Sequence, residues 1–96
     1  MIDGMTALDL ARVCHVQSTV AQAWLDRTET PSDAVLGRLR VVLRVMEGLE
    51  ANGLDDPGDR IEWLRNPNRA FAYDAPIDLL ARDDPQPVLD YIDRLS

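Results

Sequence analysis

The sequence predicts an all-α protein, and three observations indicate this fold class. Apolar residues recur along the 96-residue chain at the three- and four-residue steps of amphipathic helices. Capping residues, prolines and the Asn52-Gly53 pair stand where these runs begin and end. No stretch alternates apolar and polar residues as a half-buried strand does. We therefore expect an N-terminal helix-turn-helix-like module with a spine helix over residues 1–52, and a C-terminal bundle of short helices over residues 53–96.

The composition narrows the class of protein. The chain is 46% hydrophobic and has a net charge of −7. It contains no long apolar run, so we expect no membrane span, and the charge argues against nucleic-acid binding by the whole surface. A single cysteine excludes an internal disulfide and is typical of the cytoplasm, where we expect the protein. Residues 51–96 carry a net charge of −5 and residues 1–50 of −2, so a basic protein partner would meet the second half and DNA the first.

The first two helices are short. Thr6 is placed to cap a helix over residues 7–15, and Ser18 to cap a second over residues 19–27. Two such helices joined by a tight turn and closed by a buried tryptophan, Trp24, have the outline of a helix-turn-helix.

The exposed early positions of the second helix are candidate DNA contacts. Ser18, Thr19 and Gln22 are of types that bind phosphates and adenine edges. No arginine lies on the first turn of this helix, and a hairpin that only packs against the spine is the alternative. If DNA is bound, a dimer is the expected form.

The third helix is predicted to be the longest, over residues 32–51. Ser32 or Asp33 can begin it after Pro31, and Asn52-Gly53 ends it. A continuous apolar stripe runs along it, formed by Val35, Leu36, Leu39, Val42, Leu43, Met46 and Leu49.

Short helical segments follow, predicted over residues 57–65, 68–73, 77–81 and 85–95. Asp55-Asp56-Pro57 and Asp83-Asp84-Pro85 both place an acidic cap before a proline, which suits a helix start. Asn66-Pro67-Asn68 predicts a turn, because a proline keeps the preceding residue out of the helical region.

Catalytic and metal-binding patterns are weak. Cys14 and His15 are adjacent, and adjacent helical side chains point about 100° apart, so a buried cysteine beside a half-exposed histidine is favoured over a catalytic pair. The acidic clusters lack the spacing of a calcium loop and are better explained as caps. We predict a non-enzymatic protein with no metal and no cofactor.

Four of the five aromatic residues lie after residue 60, with arginines among them. Tryptophan, tyrosine and arginine dominate binding hot spots, but they also fill cores. Composition alone leaves both roles open for Trp63, Arg65, Arg69, Phe71 and Tyr91.

The order of motifs in this region resembles the toxin-binding part of the Xre/MbcA/ParS family of antitoxins, whose partner toxins carry a RES domain. The matching elements are Trp63-Leu64, Pro67-Asn68-Arg69, Phe71, Pro76-Ile77-Asp78-Leu79-Leu80, Val88-Leu89 and Tyr91-Ile92. The first half is similar to the Xre-type helix-turn-helix that usually precedes this part, through Ala11, Val16, Ser18-Thr19, Trp24 and Pro31.

The resemblance implies an antitoxin that binds a RES-domain toxin, covers its NAD-consuming site and represses its own promoter. NAD would be the toxin's substrate. We expect a homodimer or a hetero-oligomer with the toxin, with no membrane contact. The predicted toxin contacts are Trp63, Arg65, Asn66, Asn68, Arg69, Phe71, Asp78, Tyr91 and Arg94. The alternatives are a stand-alone Xre-like transcription regulator and a structural adaptor without a toxin.

Two departures from the family pattern bear on function. His15 and Arg27 stand where the family's helix-turn-helix usually has glycine, and Gln17 replaces the common serine cap. Family members also continue past the last helix with a tail that can enter the toxin's site, whereas this sequence stops at Ser96. Inhibition would then rest on the last helix and the Asn66-Pro67-Asn68 turn, unless a tail is present.

Overall fold

The computed structural model describes residues 4–95 and consists of six α-helices and one 3-10 helix. Within these residues there is no strand, so the predicted all-α class is confirmed. The helices are α1 (Ala7–Cys14), α2 (Ser18–Leu25), α3 (Asp33–Ala51), α4 (Pro57–Arg65), the 3-10 helix (Arg69–Phe71), α5 (Pro76–Ala81) and α6 (Gln86–Leu95).

Three predicted helix starts carry the expected caps. The Thr6 hydroxyl accepts a hydrogen bond from the Asp9 N–H, and the Asp9 carboxylate accepts one from the Thr6 N–H in return, which makes a capping box. The Ser32 hydroxyl accepts from the N–H of Val35 at 3.3 Å. The Asp56 carboxylate accepts from the N–H of Gly58 at 2.7 Å. Each cap satisfies an N–H that the helix itself leaves unpaired.

Two other predicted caps are wrong. Ser18 is already the first helical residue of α2 and Gln17 takes the N-cap position without a side-chain bond. The reason is that His15, at φ 58°, ends α1 so sharply that the chain needs only three residues before α2 begins. Helix α6 begins at Gln86, one residue after the predicted start.

The Asp83-Asp84-Pro85 segment differs from the sequence interpretation because Asp83 is used for tertiary contact. Asp83 has φ 59°, and its carboxylate lies 2.5 Å from the Arg38 guanidinium on α3. The pKa of Asp83 is lowered by this hydrogen bond. The cap position before α6 falls to Pro85, whose carbonyl accepts the N–H of Leu89 at 3.0 Å.

One core joins all the helices, and α3 runs through it. The predicted stripe on α3 is correct for Leu39, Val42, Met46 and Leu49, but Val45 is fully buried and Leu43 is 45% exposed. The buried face of α3 is therefore rotated from the predicted one, and α1, α4 and α6 are the helices that pack against α3. The other helices contribute Leu10, Val13, Ala21, Trp24, Ile61, Leu64, Ile77, Leu80, Val88 and Ile92.

Helix α1 packs against α2, α3 and α5, so the N-terminal residues contact the C-terminal bundle directly. The predicted boundary after residue 52 falls at the end of α3, where Asn52 closes the helix and Gly53 has φ 100°. The division into two domains, residues 1–52 and residues 53–96, stays a prediction. No helix in residues 4–95 is long and apolar enough to cross a bilayer.

Candidate functional site

An aromatic cluster joins the three elements that carry most of the predicted contacts. Trp63 from α4 stacks on Tyr91 from α6 with ring centroids 5.9 Å apart, and Phe71 from the 3-10 helix meets both edge-on at 6.1 and 5.4 Å. Such offset and edge-to-face pairs are favourable beyond the area they bury. Phe71 is only 7% exposed, whereas Trp63 and Tyr91 are half-buried. Phe71 therefore supports the cluster from inside, and the other two rings reach the surface.

Polar residues lie close to this cluster in the sequence, and Arg94 also lies beside Phe71 in space. Asn66, Arg69 and Arg94 are exposed, and none of them has a side-chain hydrogen bond or ion pair within residues 4–95. A shallow groove of about 600 Å³ runs beside Phe71, lined by Ala70, Phe71, Pro87, Asp90, Asp93 and Arg94. We call the surface formed by Trp63, Asn66, Arg69, Tyr91 and Arg94 the aromatic face. It is accessible and carries two arginines, and the carboxylates of Asp90 and Asp93 line the adjoining groove.

Asn68 organises the loop beside the aromatic face. Its side-chain oxygen accepts the N–H of Ala70 at 2.9 Å, and its own N–H donates to the Asp74 carbonyl at 3.1 Å. Its carbonyl accepts from Phe71 at 3.0 Å and Tyr73 at 2.9 Å. Asn66 is held extended, at φ −91° and ψ 144°, before Pro67. Asn68 thus shapes the loop, while Asn66 remains open to solvent.

A tight turn follows Phe71, and sequence reasoning missed it. The N–H of Asp74 donates to the Phe71 carbonyl at 3.0 Å, and both intervening residues have positive φ, 53° at Ala72 and 68° at Tyr73. Two such residues in succession define a type I′ turn, which normally uses Asn or Gly. Tyr73 is 69% exposed at its tip. Ala-Tyr carries no turn signal, so no local feature of the sequence indicated this residue.

Two predicted contacts face α1 instead of the aromatic face. The Arg65 guanidinium donates to both oxygens of Asp9, at 3.1 and 2.5 Å, and Asp78 pairs with Arg12. Burial raises the pKa of Asp9, but hydrogen bonds from Arg65 and from the Thr6 backbone lower it more, so the net shift is downward. The bond to Asp9 raises the pKa of Arg65. These pairs hold α4 and α5 against α1.

The predicted DNA contacts lie on the exposed side of α2. Ser18, Thr19 and Gln22 are all exposed, and the Gln22 amide donates to Asp26 at 3.0 Å. His15 and Arg27, at φ 58° and 61°, adopt the left-handed conformation that glycine favours. The backbone therefore keeps the turn geometry of a glycine at both positions although the side chains differ.

Cys14 and His15 do not form a pair. Cys14 is 5% exposed, and burial raises the pKa of its thiol although Arg38 opposes the shift. The exposed His15 ring contacts the Ala81 carbonyl at the end of α5. In the part of the chain that the structure describes, no group of three or more His, Cys, Asp or Glu side chains could hold a metal ion.

Comparison with known protein families addresses the C-terminal part of the chain, which carries the aromatic face. Residues 54–96 match the antitoxin Xre/MbcA/ParS C-terminal toxin-binding domain. The resemblance seen in the motif order is confirmed for this part, and a domain of this kind indicates an antitoxin that acts by binding a protein toxin. The helix-turn-helix assignment of the first half stays a prediction. Comparisons with curated proteins and with solved structures gave no match.

Proposed function

We propose that this chain is the antitoxin of a toxin–antitoxin module and neutralises a RES-domain toxin in the cytoplasm. The observation that carries the proposal is the match of residues 54–96 to a toxin-binding domain. The RES identity of the toxin is supported by the order of the Trp-Leu, Pro-Asn and Pro-x-Asp-Leu-Leu motifs. The mechanism is steric: the antitoxin covers the site at which the toxin consumes NAD.

The aromatic face is the proposed contact surface. Trp63 and Tyr91 are supported by Phe71 and keep one side in solvent, so they can bury aromatic area on binding without reorganising the core. Arg69 and Arg94 have no ion pair within residues 4–95 and are free to meet carboxylates or backbone carbonyls. Asn66 is exposed in the adjoining turn, and the hydrogen bonds of Asn68 fix the shape of that turn. Arg65 and Asp78 support the surface from behind through α1.

Charge supports the same partner. Residues 51–96 carry a net charge of −5, and Asp90 and Asp93 line the groove beside Phe71. A toxin site that binds the pyrophosphate of NAD is expected to be electropositive, so Asp90 and Asp93 of the groove are the groups expected to face it, while Arg69 and Arg94 meet acidic or carbonyl groups outside that site. Association should slow as salt increases, because screening weakens long-range steering.

Inhibition of the toxin tests the proposal. The adjacent gene is expected to encode a RES-domain protein, and co-expression of this chain should restore growth and the NAD level of cells that produce that toxin. Arg69→Ala should weaken inhibition by about tenfold, because an interfacial arginine is a frequent hot spot. Arg40→Ala is the matched control, since Arg40 is also exposed but lies on α3. Failure of the unchanged chain to rescue growth would refute the proposed function.

The geometry of α1 and α2 favours promoter binding as a second function. The left-handed residue His15 ends α1 and lets α2 begin three residues later, and the exposed first half of α2 carries Ser18, Thr19 and Gln22, which could enter a major groove. With a net charge of −7 for the chain, such binding would require a dimer or the toxin complex.

A gel shift with the DNA upstream of the gene tests this second function. Gln22→Ala should weaken binding of the antitoxin or its toxin complex about tenfold, because a side chain that reads a base edge is removed. Glu29→Ala, in the exposed connector after α2, should not weaken it. If the unchanged chain, Gln22→Ala and Glu29→Ala bind the DNA equally well, the proposed contact of Gln22 with DNA is wrong.

A further inference from the structure

The Phe71–Asp74 turn is held in place from several directions. Phe71 anchors one end in the core, and the Asp74 carboxylate pairs with Arg82 beyond α5 at 3.0 Å. The N–H of Tyr73 donates to the Asn68 carbonyl, and the N–H of Asp74 to the Phe71 carbonyl. These hydrogen bonds fix the backbone of the turn from within the same loop. The position of Tyr73 is therefore set before any partner binds.

Tyr73 has an unfavourable backbone conformation that its side chain does not offset. A residue with a Cβ is destabilised in the left-handed region relative to the right-handed one, and glycine is not. The Tyr73 ring is 69% exposed and makes no hydrogen bond or ring contact within residues 4–95. Folding alone would favour glycine here, and no contact of the ring within residues 4–95 accounts for the aromatic side chain.

The position of Tyr73 points to a binding role. It lies two residues after Phe71, the ring that supports Trp63 and Tyr91, and four residues after the exposed Arg69. A rigid aromatic side chain loses little conformational freedom on binding, which is why preorganised tyrosines act as anchors in interfaces.

We propose that Tyr73 is an anchor residue of the toxin complex, and that its ring enters an apolar pocket on the toxin surface. This inference rests on the proposed function and adds to it a contact that the aromatic face lacks. The pocket has a hydrogen-bond partner for the phenol at its end, because a buried tyrosine hydroxyl is normally paired. Asp74 and Arg82 form the polar rim beside it.

Replacement by glycine tests the anchor because stability and affinity should move in opposite directions. Tyr73→Gly in the full chain should raise Tm, since it removes the strained conformation, and should weaken binding to the RES-domain toxin by about 30-fold or more in calorimetry. Ala72→Gly is the matched control: it relieves the same strain and adds the same flexibility, so it should raise Tm and change affinity by less than about threefold. Tyr73→Phe separates ring from hydroxyl and should weaken binding by about fivefold.

The outcomes are distinguishable. If wild type and both glycine variants bind with affinities within about threefold of one another, the anchor is wrong and the proposed function stands. A Tm of Tyr73→Gly below wild type would also overturn it, because the ring would then be packed within the chain. If wild type itself does not bind the toxin, the proposed function fails and the anchor fails with it.

Discussion

Asp9 is the residue that ties the first helix to the rest of the molecule. Its carboxylate closes the capping box with Thr6 and accepts hydrogen bonds from Nε and Nη2 of Arg65 on α4. The Asp9 side chain is 12% exposed, whereas that of Arg65 is 44% exposed. Breaking an ion pair that has one buried partner destabilises the protein, because the buried charge is then left without an opposite charge. Asp9 therefore has more influence on stability than the exposed pairs, such as Arg44 with Asp93.

The pH dependence of stability follows from the lowered pKa of Asp9. The stabilisation is present at pH values above the ordinary pKa of an unfolded aspartate, about 3.9, and is lost as the pH falls through the lower folded pKa. Asp9→Asn should reduce the free energy of unfolding by about 1–3 kcal/mol at pH 7, and the difference from wild type should shrink below about pH 4. Urea unfolding at several pH values measures this.

Asp84→Asn is the control for this experiment, because Asp84 is exposed and has no side-chain bond within residues 4–95. It should change the free energy of unfolding by less than about 0.5 kcal/mol. A difference between wild type and Asp9→Asn that persists unchanged into acid would show that the charge of Asp9 is unimportant.

Single residues differ in how far the sequence predicts them. Thr6, Ser32 and Asp56 could be identified as caps because a cap depends on the few residues that follow it. Ala72 and Tyr73 could not be identified as turn residues, because their positive φ values are imposed by the Asn68 hydrogen bonds and the buried Phe71. The resemblance to a family indicated the residues of the aromatic face, but the exposed position of Tyr73 at the tip of the turn could be recognised only from the structure.

At the scale of elements, α6 packs against α3 so closely at Gly48 that the contact leaves no room for a side chain there. A Cβ placed on Gly48 would lie 2.1 Å from Cγ2 of Ile92 on α6. Only a residue without a side chain allows the two helices to meet at this distance. Gly48 thus sets the position of α6, which carries Tyr91 of the aromatic face and the lining residues Asp90, Asp93 and Arg94.

Gly48→Ala should force α6 away from α3. We expect a loss of about 1–2 kcal/mol in the free energy of unfolding, because the overlap with Ile92 outweighs the higher helix propensity of alanine. Gly37→Ala is the matched control on the same helix, since its added Cβ meets nothing within 4 Å. It should stabilise by about 0.5–1 kcal/mol. Thermal unfolding of both variants checks the pair, and a stabilised Gly48→Ala would contradict the packing described.

Elements were predictable where their limits are local. The Asp-Pro and Ala-Pro pairs located α4 and α5, and Asn52-Gly53 located the end of α3. The rotation of α3 was not predictable, because Leu43 and Val45 are both apolar and only the helices packed beside them decide which is buried. Likewise, nothing local indicates that Asp83 pairs with Arg38 instead of capping α6.

At the scale of the whole molecule, the core does not divide at the limit of the family match. Leu10 and Val13 of α1 and Val42 and Val45 of α3 share one buried cluster with residues of the last three helices. The bonds of Arg65 and Asp78 to α1 cross the same limit. A small domain of this size has little stability to spare, so neither part should fold without the other.

The two tryptophans report on this coupling, since Trp24 lies in α2 and Trp63 in α4. Trp24→Phe leaves fluorescence from the C-terminal part, and Trp63→Phe leaves it from the N-terminal part. In each variant, the urea midpoint seen by the remaining tryptophan should agree with that seen by circular dichroism, because one shared core predicts a single unfolding transition. A fluorescence midpoint that differs from the dichroism midpoint of the same variant would show two independent domains.

The bonds between α1 and the C-terminal bundle should also govern how the protein responds to a protease. A protease that cuts the connector between α2 and α3 detaches α1, and with it the partners of Arg65, Asp78 and the Ala81 carbonyl. The remaining helices then expose Ile61, Leu64 and Ile77. We therefore expect degradation begun at one end to spread to the other, so that a single cut in the core removes the aromatic face together with the rest of the fold.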